Sequence, residues 1–262
     1  MDWPHDPSLY PTYLRPRVRR GFGLGEGAAY QPWIRVRDFG SKGTCSNFKG
    51  VKIRRPFHFL SSLEATNYLL LERDPDVLDI REQYPILDLK STLQLCAQHK
   101  IKHGKRSGFP EPFTIDFMVT RREAYGTSIQ AQSIKSAADR RLPKVQERLN
   151  IEYQWCKEVG VPWACVETED FTKQLLRNLR FIRRWFVDRY DPNEESAQRF
   201  ADAFARSYQL GTPLTELIRM AGSRCCYRHT AENLFQYCAW TNLLKVDLRR
   251  PISLNHSVVL HL

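Results

Sequence analysis

The most regular alternation of apolar and polar residues in this chain runs through FTIDFMVT. Its two sets of positions are Phe113, Ile115, Phe117 and Val119 against Thr114, Asp116, Met118 and Thr120. Period two predicts a half-buried strand, and a second strand is predicted over 127–135 after a turn at Tyr125–Gly126. Burial of the Asp116 carboxylate among large apolar residues is costly unless a partner, a metal or water compensates it.

The first two-thirds of the chain predicts further strands and helices around this pair. The remaining predicted strands cover 33–39 (WIRVRDF), 51–61, 76–86 and a final buried stretch at 161–168, and the predicted helices cover 61–75 and 137–160. Ser61 and Glu64 have capping-box spacing, and Asp74-Pro75 ends the first helix. Residues 90–112 are predicted to form a polar, basic connection.

After Glu169 the pattern becomes helical. Helices are predicted over 170–186, 194–208, 212–222 and 229–244, and two short strands around a Pro-containing turn follow to the end. This order fits a helix-turn-helix with a wing, and an ordinary small α-domain is the alternative. We therefore expect three parts: a flexible basic arm (1–27), an α/β domain (28–168) and a mostly α, winged-helix domain (169–262).

Composition and charge narrow the class of protein. The chain of 262 residues is 42% hydrophobic and carries a formal net charge of +11, which favours a polyanionic partner such as nucleic acid. The flanks are the basic parts, with 8 Lys/Arg against 4 acids in residues 1–50 and 14 against 9 in 170–262. No apolar run of membrane-spanning length and no signal-peptide core is seen, so we expect a soluble, cytoplasmic protein without a membrane partner.

The seven cysteines contain no CxxC pair. Cys225, Cys226 and His229 are poor zinc ligands, because adjacent cysteines do not easily share one tetrahedral ion and a second ligand pair is missing. We expect free thiols, Cys45 among them.

The alternating strand suggests a site for phosphodiester chemistry. If the hairpin is symmetric about Tyr125–Gly126, facing residues sum to about 251, and Asp116 faces Lys135. Glu64 is the candidate third group. The pattern allows its side chain to point inward from the helix, to cap the helix, or to do both. Carboxylates bind hard cations such as Mg²⁺, and a nearby lysine orients a water or takes its proton.

Four stretches, in order, resemble the TnsA family, the endonuclease subunits of heteromeric bacterial transposases. They are SSLEATNYLLLERDPDVLDIREQYPIL, FTIDFMV, SIQAQSIKSAADR and LNIEYQWCKEVGVPW, within residues 28–168. The resemblance implies a restriction-endonuclease-like core, a mixed sheet flanked by helices that binds Mg²⁺, with Mn²⁺ as a possible substitute. The family's catalytic positions fall on Glu64, Asp116, Lys135 and Glu152.

The same resemblance implies that Glu64, Asp116 and the main-chain carbonyl of Ile134 hold the metal. Ser133 occupies the position where many nucleases of this fold carry an acid, so metal binding depends on few ligands. The number of metal ions stays open.

The resemblance further implies a reaction and partners. Proteins of this family cut the 5′ ends of a transposon, a TnsB-like transposase cuts and joins the 3′ ends, and the C-terminal domain contacts a TnsC-like AAA+ ATPase. Basic residues expected at the transposon-end DNA are Arg19, Arg20, Lys245, Arg249 and Arg250. Two alternatives stay open: a non-catalytic adaptor between transposase and ATPase, and a stand-alone restriction or repair nuclease.

Overall fold

The computed structural model describes residues 2–38 and 46–261. They divide into two compact units that meet between Glu169 and Asp170, where the change to helical patterning places the boundary. Phe39, expected at a strand end, and Cys45, expected as a free thiol, lie outside the described residues. No helix in the described ranges is both long and apolar enough to cross a membrane.

The first unit contains all the named strands and four of the α-helices of the described chain. The strands are β1 (Ser46–Lys49), β2 (Pro56–Phe59), β3 (Val77–Pro85), β4 (Lys105–Arg106), β5 (Phe109–Pro110), β6 (Thr114–Glu123), β7 (Gly126–Ile134) and β8 (Trp163–Val166). The helices are α1 (Arg15–Arg19), α2 (Ser62–Arg73), α3 (Leu89–Gln98) and α4 (Pro143–Glu158).

The central sheet has the order β3-β6-β7-β8. The β3–β6 and β6–β7 pairs are antiparallel and β8 is parallel to β7, so the expected mixed sheet is confirmed. β1–β2 and β4–β5 form separate two-stranded hairpins. β8 is only half-buried along its length, not fully buried as its apolar composition predicts.

Helix α2 begins and ends where the sequence places its caps, whereas α4 begins six residues later than the predicted 137. The N–H of Glu64 donates to the Ser61 hydroxyl at the start of α2, and Asp74 ends the helix before Pro75. Pro143 opens α4, and Gly160 follows its end with a φ of +71°. Asn67 of α2 donates to the Gln132 side chain of β7, which seats this helix over the sheet.

Residues 90–112 are not a simple connection, and that prediction is wrong. Helix α3 forms there because Asp88 accepts the N–H of Ser91 at its start, and because Leu95 and Cys96 pack into the core. Its buried residues Leu89, Thr92, Leu95 and Cys96 have the spacing of an amphipathic helix, which the prediction of a connection overlooked. A tight turn at Ser107–Gly108, both with positive φ, then joins β4 to β5.

Strand β6 is buried on both faces over residues 114–119, so the prediction of a half-buried strand is wrong. Phe117 packs against Phe59 of β2, with ring centroids 6.2 Å apart. Ile115 belongs instead to the core made with α3 and α4. Residues two apart share a face in a regular strand, so the alternation is interrupted beside Asp116 and the neighbouring Gln83.

The β6–β7 register differs from the symmetric one. Glu123 pairs with Gly126 and Phe117 with Gln132, so facing residues sum to 249 rather than 251. The turn is therefore one residue earlier, at Ala124–Tyr125. Asp116 and Lys135 lie beyond the last pair of this ladder and are not directly opposed, but their side chains are in contact.

The N-terminal segment is packed onto the first unit, in contrast to the flexible arm expected for 1–27. Trp3 lies beside Tyr84 and Trp155, and its indole N–H donates to the carbonyl oxygen of Pro85. A local core then joins the segment to the start of α3, and its members are Tyr10, Leu14, Val18, Phe22, Leu24, Trp33, Leu87 and Leu89. The Pro, Gly and Arg content suggested disorder, but aromatic and leucine side chains between those residues supply the buried surface.

The strand predicted for WIRVRDF does not form in its described part. Val36–Asp38 is a 3₁₀ turn, and the Asp38 carboxylate accepts the N–H of Arg35. Such local side-chain bonding competes with strand pairing. The strand predicted over 51–61 is confined to β2, whose partner is β1.

The second unit is helical. Its helices are α5 (Lys173–Ile182), α6 (Arg184–Val187), α7 (Glu194–Ser207), α8 (Leu214–Arg224) and α9 (Ala231–Trp240). Phe200, Phe204 and Phe235 are fully buried among them. The single helix expected over 170–186 is interrupted at Arg183.

The winged-helix prediction is not confirmed. In the described part of 244–262, the two expected strands reduce to an isolated bridge between Val246 and Leu260. The amide of Asn178 on α5 donates to the carbonyl oxygens of Leu248 and Arg250, and so holds the segment in an irregular path.

A matched glycine pair tests the docking of the N-terminal segment. Gly23 and Gly27 both have positive φ, but only at Gly23 would an added Cβ overlap the Pro85 ring. We expect Gly27→Ala to cost about 1 kcal/mol of unfolding free energy, and Gly23→Ala about 1–3 kcal/mol more. Urea denaturation of the full chain measures both. Equal losses would contradict the docked segment.

Candidate functional site

Asp116 and Lys135 form a short ion pair at the end of the β6–β7 hairpin. The Lys135 Nζ lies 2.6 Å from Asp116 Oδ2, and the same oxygen accepts the Ile134 N–H at 2.6 Å. Lys135 Nζ also donates to the Ile134 carbonyl oxygen at 2.9 Å. The backbone pairing of β6 with β7 extends to Phe117–Gln132, and the Asp116 carboxylate binds the β7 backbone beyond that pair. The predicted meeting of Asp116 and Lys135 is confirmed, by a different register.

Glu64 points inward and also caps its helix, so both roles considered for it hold. It is buried; one carboxylate oxygen accepts the Ser61 hydroxyl at 2.9 Å and the other the Leu60 N–H at 3.0 Å. Burial first, and then the nearby Asp116 charge, raise the pKa of Glu64 to about 7. Glu64 and Asp116 are thus close enough for their charges to repel.

Lys135 supplies the compensating positive charge. Burial lowers the pKa of Lys135, but the Asp116 carboxylate opposes this and the net pKa is raised above its ordinary value. The lysine therefore holds its proton in this arrangement.

Gln83 is a site residue that the sequence does not reveal. Its side-chain amide donates to Glu64 Oε2 at 3.2 Å, and its backbone has a φ of +49°. A positive φ in a non-glycine residue inside a strand is strained, and such strain clusters at functional sites. The sequence offers no distinguishing signal for Gln83, because it follows the charged residues Arg81 and Glu82 in the same strand.

Glu152 reaches the same region from α4. It is 2% exposed, and its carboxylate accepts the Ser133 hydroxyl at 2.5 Å and Arg148 Nε at 3.0 Å. Arg148 also donates to the carbonyl and hydroxyl oxygens of Thr114. Burial raises the pKa of Glu152 against the opposing effect of Arg148. Ser133, at the position where many nucleases of this fold carry an acid, thus donates a hydrogen bond to the acid Glu152.

The oxygen donors of this site are chemically suited to a hard divalent cation. The two carboxylates of Glu64 and Asp116 repel each other, and the Ile134 carbonyl oxygen is a third hard ligand. The Lys135 ammonium lies against both Asp116 and Ile134, so it contacts the same oxygens that a cation would use. Within residues 2–38 and 46–261, no three His, Cys, Asp or Glu side chains form a cluster able to hold a metal.

The five basic residues expected at DNA lie in two places. Arg19 and Arg20 are exposed at the end of α1 in the first unit. Lys245, Arg249 and Arg250 are exposed in the irregular segment of the second unit, where Arg250 is 3.6 Å from a carboxylate oxygen of Asp247.

Two comparisons with known proteins find similarity to TnsA. Residues 74–168 match the family model described as TnsA-like endonuclease N terminal. The chain is 28% identical over 229 residues to the Escherichia coli protein named transposon Tn7 transposition protein TnsA, and the alignment covers 80% of this chain and 83% of that protein. This chain is TnsA-like.

The TnsA-like match includes three of the four expected catalytic positions. Asp116, Lys135 and Glu152 lie inside residues 74–168, whereas Glu64 precedes them. The structure joins Glu64 to that TnsA-like segment through the Gln83 side chain.

A double-mutant cycle tests the Arg148–Glu152 pair. Arg148→Met leaves a buried carboxylate without its cation, and we expect it to cost about 2–3 kcal/mol of unfolding free energy. Glu152→Gln should cost about 1 kcal/mol, and the double variant less than the sum. Urea denaturation is the measurement, with the exposed Lys157→Met on the same helix as control. Strictly additive losses would show that the two groups do not depend on each other.

Proposed function

We propose that this chain is a metal-dependent DNA endonuclease subunit of a transposase, and that it hydrolyses phosphodiesters at the 5′ ends of a transposon during excision. The observation that carries the proposal is the convergence of Glu64, Asp116 and Lys135 at one end of the sheet of a TnsA-like endonuclease domain. Two buried carboxylates beside one ammonium suit the binding of a cation and of a phosphate.

The carboxylates of Glu64 and Asp116 and the Ile134 carbonyl oxygen would hold Mg²⁺, for which Mn²⁺ would substitute. A bound Mg²⁺ polarises a phosphodiester and offsets the negative charge that develops on its oxygens. The Ile134 N–H fixes Asp116 in position, and the Leu60 N–H and Ser61 hydroxyl fix Glu64. Both carboxylates are therefore oriented before substrate binds.

Lys135 acts on the attacking water. Its ammonium, 2.6 Å from Asp116 Oδ2, places a hydrogen-bond donor and a positive charge beside the proposed metal ligands. It orients the water and stabilises charge on the phosphate. Glu152 supports the site by bonding Ser133, one residue before Ile134, and so steadies the end of β7.

The partners follow from the resemblance to TnsA proteins. A TnsB-like transposase would cut and join the 3′ ends of the same transposon-end DNA. A TnsC-like AAA+ ATPase would bind the second unit, with DNA contacts at Lys245, Arg249 and Arg250 in that unit and at Arg19 and Arg20 in the first. The cell's cytoplasm, at the nucleoid, is the expected place of action.

Two other functions predict different behaviour. A non-catalytic adaptor would bind both partner proteins and support transposition with Asp116 and Lys135 replaced. A stand-alone restriction or repair nuclease would cut DNA without any partner. The short Asp116–Lys135 contact and the buried Glu64 favour a catalytic site over an adaptor. Two buried carboxylates that repel each other destabilise the fold, and a non-catalytic adaptor has no use for them.

Cleavage of labelled transposon-end DNA tests the proposed function. With Mg²⁺ and the cognate transposase, the wild-type chain should produce 5′-end cuts. Asp116→Asn and Lys135→Ala should lower their rate by at least about 10²-fold, because each removes charge from the reaction site. The 3′-end cuts made by the transposase should remain.

Controls come from the exposed turn and helix that follow the site. Asp139→Asn and Lys144→Ala remove the same kinds of charge at exposed positions and should cut at the wild-type rate. Wild-type 5′-end cutting by both site variants would contradict the proposed function and favour the adaptor.

A further inference from the structure

A second basic site lies in the first unit, between the N-terminal segment and the β4–β5 hairpin. It is a cavity of about 490 Å³, within the range of small-molecule sites. Four arginines line it, Arg17, Arg20, Arg37 and Arg106, together with the acids Asp38 and Glu111. We call it the arginine cavity.

Positive charge in the arginine cavity exceeds what its acids balance. Glu111 Oε1 is shared, 3.8 Å from Arg17 and 4.0 Å from Arg106. In the described ranges of the chain, no carboxylate forms an ion pair with Arg20 or Arg37. Burial lowers the pKa of Arg17; the charges of Glu111 and Asp38 oppose this effect, and those of Arg106 and Arg20 reinforce it. An anion in the cavity would relieve this repulsion.

An open aromatic face stands beside these guanidinium groups. Phe109 is 52% exposed although its ring stacks on Tyr13, with centroids 4.6 Å apart. The Tyr13 hydroxyl donates to the carbonyl oxygen of Pro110, which fixes the pair. One face of Phe109 is covered by Tyr13, so a flat ligand would stack on the other. Alternating phosphates and bases match a basic groove with an aromatic platform.

The arginine cavity is connected to the candidate catalytic site. Trp33 lines the cavity, and its backbone N–H donates to the Gln83 carbonyl oxygen at 3.2 Å. The Gln83 side chain donates to Glu64. These two hydrogen bonds, through Trp33 and Gln83, link the cavity wall to Glu64, a proposed metal ligand. A DNA strand that leaves the reaction site would therefore reach the cavity.

We propose that the arginine cavity binds one unpaired nucleotide of the DNA that the site cuts, with the phosphate on Arg20, Arg37 and Arg106 and the base on Phe109. The inference rests on the proposed function. An intact duplex offers no free base face, so the cavity would favour DNA whose strands are separated next to the cleavage position.

Binding of two fluorescein-labelled DNAs tests the proposal. One is a blunt duplex and the other the same duplex with a short single-stranded overhang. We expect Arg106→Glu and Phe109→Ala, in the full chain, to weaken binding of the overhang DNA about tenfold or more, and of the blunt duplex by less than about threefold. Both side chains are exposed, so the variants should fold as the wild type, which thermal unfolding checks.

The matched control is Arg122→Glu, which also reverses an exposed positive charge. Arg122 lies six residues from Asp116 along β6, or about 20 Å away. The substitution should affect both DNAs alike. Equal effects of Arg106→Glu and Arg122→Glu on the two DNAs would overturn the proposal. Displacement of the overhang DNA by dTMP at micromolar concentration would overturn it as well, because the cavity would then be a free-nucleotide site.

The two experiments distinguish failure of the arginine-cavity proposal from failure of the proposed function. Loss of 5′-end cutting in Asp116→Asn with unchanged overhang binding in Arg106→Glu would leave the proposed function standing and reject the cavity. A wild-type chain that cuts nothing with its partners, but whose overhang binding depends on Arg106 and Phe109, would reject the endonuclease reaction and support the cavity as a DNA site.

Discussion

The contact on which the site depends is made by one carboxylate oxygen, Asp116 Oδ2, which accepts both the Ile134 N–H and the Lys135 ammonium. It binds the β7 backbone beyond the last pair of the hairpin ladder and holds the Lys135 ammonium at the end of the sheet. A buried carboxylate is tolerated because it replaces backbone pairing and is charge-compensated. The same contact directs β7 toward Thr168, whose hydroxyl donates to the Lys135 carbonyl oxygen.

The neighbouring strand accommodates this arrangement at a cost. Gln83 adopts a positive φ beside Asp116, and this conformation lets its amide reach Glu64 while its carbonyl oxygen accepts Trp33. Strain of this kind persists where the surrounding structure determines it. Buried aromatic side chains supply that support, since Tyr84 is fully buried beside it. Stability has been exchanged for a fixed position of the acidic groups.

Local patterns predicted what local physics determines. The cap at Ser61 sets the start of α2, and the predicted strand pair forms with Asp116 and Lys135 in contact despite its shifted register. Features that need distant partners were missed. The N-terminal segment is ordered by Trp3 packing on residues far along the chain, and Gln83 gains its role only from the fold. A single alternating pattern cannot show that both faces of β6 are covered.

Crystals of the chain grown with Mn²⁺ test the proposed metal site, because anomalous scattering locates this ion independently of any reaction. We expect a peak about 2.0–2.2 Å from carboxylate oxygens of both Glu64 and Asp116. Crystals whose dissolved protein still cuts transposon ends with its partners, but which show no peak there and keep the Lys135–Asp116 pair unchanged, would contradict it.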